Sequence, residues 1–302
     1  MLKRDVNKEN ANGQTPLKKA FKDHNLNRVI SLIEKDGADI NYRETGMSPL
    51  SYLLYYTHTS KDQLFTLEVL DLFSKHPDFN PNAKIAHENS LLSSAHNQDR
   101  PEIFDKLMEL RANPFLDSNL LEEIIRKNHT RYIDSIYEHS FAIQIESPLV
   151  GKTETLLDLA YKHKNMTLFK RFLKSRINPI DVSAQKEISV FHQAVKDKEI
   201  DYVRAIFNSG QERNWSLKSK GKSALHLAAQ NEDHEMLALL STFIPDLNLT
   251  DHFNRTAIDI LEDKKEALTK IQDTLISKGA EFKRDHSSNG INGGFVQKPK
   301  KI

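Results

Sequence analysis

The chain has 302 residues, 38% of them hydrophobic, with 43 basic and 42 acidic side chains and a net charge of +1. So even a balance excludes a global affinity for nucleic acid or for an anionic membrane. With no cysteine, disulfides, thiolate metal sites and Cys nucleophiles are excluded as well.

In chain order, one apolar position recurs: Leu17, Leu50, Leu92, Leu121, Leu157, Phe191, Leu225 and Ile258, at intervals of 33, 42, 29, 36, 34, 34 and 33 residues. Three residues after each stands a small or aliphatic side chain: Ala20, Leu53, Ala95, Ile124, Ala160, Ala194, Ala228 and Leu261. A period of this length marks stacked supersecondary units. Further on in each unit come apolar pairs four residues apart, such as Ile103 with Leu107, Phe169 with Leu173 and Tyr202 with Ile206, which share one helical face. Each unit is predicted to be a short helix, a tight turn, a second amphipathic helix and a polar loop. Two short helices cannot bury both faces alone, so neighbours must stack into a continuous core.

The first unit opens with Thr15 as a cap and Pro16 at the first helical position, and Ser48 with Pro49 repeat that pair in the second. The interval of 42 places about nine extra residues, Tyr55 to Gln63, between the helices of unit two. Tyr55 and Tyr56 head this insertion, which reads as a binding loop or as a solvated elongation with its tyrosines folded back. In units three and four the Thr-Pro pair gives way to Ser90-Leu91 and Asn119-Leu120. Between Glu138 and Lys152, Phe141 to Ile145 alternate and suggest an extended hairpin.

Lys162, Lys164, Lys170, Arg171, Lys174 and Arg176 follow with no acidic residue among residues 162–176. They form either a basic patch for an acidic segment or headgroup, or a solvated face. Trp215 falls where unit one has Ile40 and is expected at a finger base. Lys218, Lys220 and Lys222 alternate toward a fingertip, and His252, Phe253 and Arg255 occupy the next tip. Phe253, apolar in a loop, is the clearest candidate anchor. Gly37, Gly210 and Gly279 stand where second helices end and a left-handed residue is wanted. From Asp285 the chain is rich in Ser, Asn and Gly and ends Lys298-Pro299-Lys300-Lys301-Ile302, a composition expected to be disordered.

Several chemical signals fail. Gly151-Lys152-Thr153 resembles the end of a phosphate loop, but position 146, where that motif needs Gly, is Glu146. No His pair four apart with an adjoining Glu has the zinc-protease pattern. Five Asn-x-Ser/Thr triplets, starting at Asn128, Asn165, Asn214, Asn248 and Asn254, read as chance matches. Residues 1–9 lack the apolar run of a Sec-type signal, and no stretch approaches the roughly 18 apolar residues of a membrane span.

The motifs Thr15-Pro16-Leu17, Ser48-Pro49-Leu50, Ser223-Ala224-Leu225-His226-Leu227-Ala228-Ala229 and Gly37-Ala38-Asp39 resemble the ankyrin repeat family, over roughly residues 10–283. The resemblance is best in units one, seven and eight, moderate in two, five and six, and degenerate in three and four. It implies an all-α helix–turn–helix solenoid of seven or eight repeats with short hairpin loops. The organisation expected is a flank at 1–11, repeats over 12–283 starting near 12, 45, 87, 117, 152, 186, 220 and 253, and a tail at 284–302. The family pattern makes Leu17, Leu50, Ala160, Ala194, Leu225, His226 and Ala228 structural, and gives His192 and His226 the task of bridging loop backbone.

The expected function is protein–protein binding through loops and first helices, without catalysis, metal or cofactor. Degenerate units, many Lys and Asn, and a Lys-ended tail resemble ankyrin effectors that intracellular bacteria deliver into host cells. On that reading the partner is a host protein, the chain is a monomer, and it is cytoplasmic or exported without a Sec-type signal. The alternatives are a eukaryotic cytosolic adaptor and an enzyme with its site hidden in units three to five.

Overall fold

Each first helix begins where a Ser, Thr or Asp side chain can take up a backbone N–H that the helix itself leaves unpaired. Thr15 accepts from Lys18 N, Ser48 from Ser51 N, Ser90 from Ser93 N, Asp117 from Leu120 N, Thr155 from Asp158 N and Ser189 from His192 N. The structure, a computed structural model, describes residues 5–42, 47–57, 60–83, 90–139, 154–175, 179, 188–210, 214–262 and 268–281. The expected hairpin at 141–145, Arg176 and the tail from 285 lie outside them.

Among the described residues the secondary structure is sixteen α-helices and one short 3₁₀ turn, without strands. In pairs they are α1 Pro16–Lys22 with α2 Leu26–Glu34, α3 Pro49–Tyr56 with α4 Ser60–Ser74, α5 Leu91–Asn97 with α6 Pro101–Glu109, and α7 Ser118–Arg126 with α8 Thr130–His139. Then come α9 Leu156–Lys162 with α10 Met166–Lys174, α11 Val190–Lys196 with α12 Ile200–Phe207, α13 Ala224–Gln230 with α14 His234–Phe243, and α15 Ala257–Glu262 with α16 Leu268–Ser277. The chain divides into two compact halves, Met1–Ile177 and Asn178–Ile302. In the N-terminal half α1, α3, α5, α7 and α9 pack in sequence, and α2, α4, α6 and α8 do the same. In the C-terminal half α11 packs on α13 and α13 on α15, beside α12, α14 and α16. This is the stacking of helix–turn–helix pairs expected from the period.

The residues that set the period are all buried: Leu17, Leu50, Leu92, Leu121, Leu157, Phe191, Leu225 and Ile258. So are the residues three positions later, from Ala20 to Leu261. Their backbone explains the spacing as much as their size does. The carbonyls of Ala20, Ala95, Ile124, Ala160, Ala194 and Ala228 each accept the N–H five residues on, at 2.9–3.0 Å. The residue just before that donor is left-handed in every case: His24, Asp99, Asn128, Lys164, Lys198 and Glu232 have φ of 48–61°. A single closed turn, built without glycine, therefore recurs seven residues after six of the eight markers.

Unit two departs from this turn, and the expected loop is not where the sequence placed it. Helix α3 runs through Tyr55 and Tyr56, only residues 57–59 separate it from α4, and α4 has 15 residues against nine in α2. Most of the extra residues lengthen the second helix. Thr57 replaces the left-handed residue and closes the turn with its side chain, donating to Leu53 O at 2.6 Å. Thr66 donates to Asp62 O at 2.7 Å. With both hydroxyl protons engaged, their lone pairs accept from buried Arg100, Nη1 to Thr57 at 3.2 Å and Nη2 to Thr66 at 3.1 Å. A cation whose burial disfavours its charged form is thus held by two neutral oxygens, with the negative charge of Asp62 opposing that penalty.

The described part of the flank read at 1–11, residues 5–11, is bonded to the first pair. Buried Lys18 places Nζ 2.7 Å from Glu9 and 3.4 Å from Gly13 O, and Asp39 N donates to Asn7 Oδ1 at 2.9 Å.

Candidate docking site

The residue immediately after each marker is polar and lies at the root of a loop. In the C-terminal half it is His192, His226 and Asp259, all fully buried. His192 Nε2 lies 3.1 Å from Leu217 O, and His226 Nε2 lies 2.8 Å from Arg255 O. A carbonyl only accepts, so Nε2 carries the proton in both rings and Nδ1 accepts from Ser189 Oγ at 2.7 Å and Ser223 Oγ at 2.6 Å. Burial lowers both imidazoles, His192 to about 4, despite the favourable carbonyl bond. They are neutral struts that fix two successive fingers to α11 and α13, as the family pattern implied.

The first finger spans residues 214–223. Ser219 and Lys222 exchange backbone hydrogen bonds at 2.8 and 3.0 Å around Lys220 and Gly221, both of positive φ, which makes the two-residue turn of a tight hairpin. A β carbon on Gly221 would stand 2.9 Å from His252 Nδ1, so glycine is required for the second finger to lie against the first. Trp215 packs at the base, 4.8 Å from the Phe207 ring and 5.4 Å from Phe191, as expected. Lys218 and Lys220 are exposed and Leu217 is 37% exposed. Lys222 is half-buried, its Nζ donating to Gln230 Oε1 at 3.2 Å.

The second finger is organised by Asp251, whose carboxylate has no exposed area. It accepts from Phe253 N at 2.8 Å, Arg255 N at 3.0 Å, Arg255 Nε at 3.1 Å and Arg255 Nη2 at 2.9 Å. Burial alone would raise its pKa, but the bonds from Arg255 and Phe253 outweigh that and bring it to about 2. Arg255 is thereby engaged in holding the loop rather than presented at its tip. The tip itself is Phe253, 66% exposed, with the His252 ring 3.9 Å away on one side and the Arg255 guanidinium 5.2 Å from its centroid. An exposed phenyl ring in a fixed position loses little entropy on contact, which is what an anchor needs.

The other sequence candidates are arranged differently. Tyr55 and Tyr56, each 49% exposed, form the last turn of α3; Tyr56 stacks on Tyr52 at 4.1 Å, and Tyr52 accepts from Gln14 at 2.8 Å. They belong to the exposed face of a first helix. Of the basic segment, Lys162, Lys164, Lys170 and Lys174 are exposed and Arg171 is half-buried. The neighbouring pair supplies the carboxylates that the segment lacks: Glu122 is 2.9 Å from Lys162, and Asp134 pairs with Arg171, which also lies over Tyr137. Leu17, Leu50, Ala160, Ala194, Leu225, His226 and Ala228 are all buried.

Sequence reading missed the polar position after each marker outside the two histidines. Ser93 and Ser90 both donate to Asp117 at the start of α7, Ser90 at 2.9 Å. It also missed a pair in the turns, His96 Nε2 2.9 Å from His129 Nδ1. An open cleft of about 850 Å³ lies between the N-terminal flank and α1–α2, and four of its charged side chains pair with each other, Lys19 with Asp23 and Arg28 with Asp36. Among the described residues no group of three or more His, Asp or Glu is placed to hold a metal, and no helix is long and apolar enough to cross a membrane.

Residues 156–251 match the family model for ankyrin repeats, in three copies. No curated protein matches the chain. The match covers units five to seven, while units one and eight, also read as clear, lie outside it and repeat the same caps and buried positions. Capped first helices, the recurrent turn, histidine struts to the fingers and this match together identify residues 156–251 as ankyrin repeats, and the helix pairs on either side repeat their pattern.

Proposed function

We propose that this chain is a protein-binding module whose partner docks on the two fingers of residues 214–223 and 249–256 and on the first helices beneath them. One observation carries the reading. Phe253 is held in a fixed setting by His252, Arg255 and Asp251 and yet leaves two thirds of its surface to solvent, so the loop is built around an exposed apolar ring. Leu217, on the adjoining finger, adds a second apolar contact. The family's general role in protein–protein interaction supports the same conclusion.

The finer setting belongs to the same proposal. A host protein as partner, action as a monomeric effector of an intracellular bacterium, and no nucleic-acid role are supported by the degenerate units, the Lys- and Asn-rich composition and the net charge of +1. The described part of units three and four, residues 90–139, consists of two ordinary helix pairs, which favours a binding module over a catalytic insertion. The test is paired affinity capture with the wild-type chain and the Leu217→Ala/Phe253→Ala variant, quantified by mass spectrometry. Partners lost with the variant, and cross-linked to Lys218 or Lys220 in the wild type, are expected. An identical captured set from both proteins would reject this surface.

A further inference from the structure

The two fingers carry charge of one sign. Residues 214–231 contain no Asp or Glu but include Lys218, Lys220 and Lys222. Residues 249–256 contain one acid, Asp251, which is buried and bonded to Arg255. The adjoining first helices restore little of the balance: residues 189–196 of the α11 segment have no acid, Asp259 of α15 is buried and accepts from Thr256, and the half-buried Glu262 stands at the opposite end of α15 from the finger. The exposed tip is thus cationic around an apolar ring, on a chain whose net charge is only +1.

Resting on the docking reading above, we propose that the segment received by these fingers is an acidic stretch of another protein with one large apolar side chain. Its carboxylates face Lys218 and Lys220, and its apolar group lies on Phe253 and Leu217. Charge complementarity at an exposed rim raises the association rate and excludes wrong partners, while the ring contributes affinity. A nucleic-acid strand is the poorer fit. Two or three cations give a small counterion release, and one phenyl ring is not a ladder on which successive bases stack.

A displayed library of random peptides is selected against the full-length chain, with the folded Leu217→Ala/Phe253→Ala variant as counter-target. Enriched peptides that combine several Asp or Glu with Leu, Phe or Trp, and that are lost on the variant, are the expected result. For a fluorescein-labelled member of that set, Lys218→Glu/Lys220→Glu is expected to weaken binding about tenfold, with Phe253→Ala about as costly. Enriched peptides without acidic residues that still depend on Leu217 and Phe253 would overturn the acidic partner and leave the docking surface standing. Peptides indifferent to the variant, or no enrichment, would overturn both. Equal competition by a single-stranded oligonucleotide of about 20 nucleotides would overturn the protein partner. Circular dichroism melts of each variant, matching the wild type, keep loss of binding distinct from loss of fold.

Discussion

The two halves use the same seam with different chemistry. In the C-terminal half, His192 and His226 each reach the carbonyl of the following finger in one step. In the N-terminal half the same position holds shorter or charged side chains. Ser93 cannot span the gap and is joined to the next helix start through Asp117, while Lys18 turns to Glu9 and Gly13. One imidazole does what otherwise takes a hydroxyl and a carboxylate together. The stack therefore depends on a satisfied polar bridge at this position, and a fixed residue type is only one way to supply it.

The largest expected effect comes from breaking what the halves share. Ala228 is fully buried and its carbonyl closes the turn at Asp233, so Ala228→Arg should destabilise by several kcal/mol through an unpaired charge and overpacking. Unchanged urea unfolding would contradict the helix interface. Next comes the seam itself. His226→Ala strands the Arg255 carbonyl and the Ser223 hydroxyl and should cost about 2–3 kcal/mol, whereas Ser93→Ala should cost about 1 kcal/mol because Asp117 keeps Ser90 and the Leu120 N–H. Equal losses in chemical denaturation would show that the bridges do not differ.

Acid should weaken the C-terminal seam in two steps. His192 is neutral when folded down to about pH 4, while an unfolded histidine titrates near 6.5. The folded state binds fewer protons, so stability is full above about 6.5 and is lost as pH falls toward 4. Asp251, brought to about 2, adds a second loss below about pH 4, worth about 2 kcal/mol by pH 2. His192→Gln should flatten the upper part of that profile when unfolding midpoints are followed against pH, and an unaltered slope would remove the strut from the account. The smallest effect is expected at the turn. Lys198 sits at φ 61°, so Lys198→Gly should raise stability by about 0.5 kcal/mol, relief of the left-handed backbone exceeding the added chain entropy. A lower melting temperature would show that the Lys side chain contributes there.

Legibility followed the distance over which each interaction acts. The eight markers and their small partners could be read because burial on one helical face imposes a period on composition, and caps could be read because Ser, Thr and Pro act within four residues. Trp215 was placed by its register with Ile40, and the two histidines by resemblance to the family pattern. Tyr55 and Tyr56 were assigned to a loop because a counted insertion says how many residues are extra and nothing of which helix absorbs them. That was decided by Arg100, 43 residues beyond Thr57, whose guanidinium links the hydroxyls of Thr57 and Thr66. The carboxylates that face the basic segment were hidden for a like reason, since Glu122 and Asp134 reach it from the preceding pair.

By itself the sequence determined the helical pairs, their period and the sites of burial, because these follow from local propensity and from which side chains avoid water. Only the tertiary structure decided which polar groups are engaged and which are offered. Arg255 and Phe253 are two residues apart in one tip, yet the first is turned inward by Asp251 while the second is left to solvent. Asp251 is only four residues from Arg255, but the loop conformation that aims it is fixed from outside, by His226 of α13 at the Arg255 carbonyl.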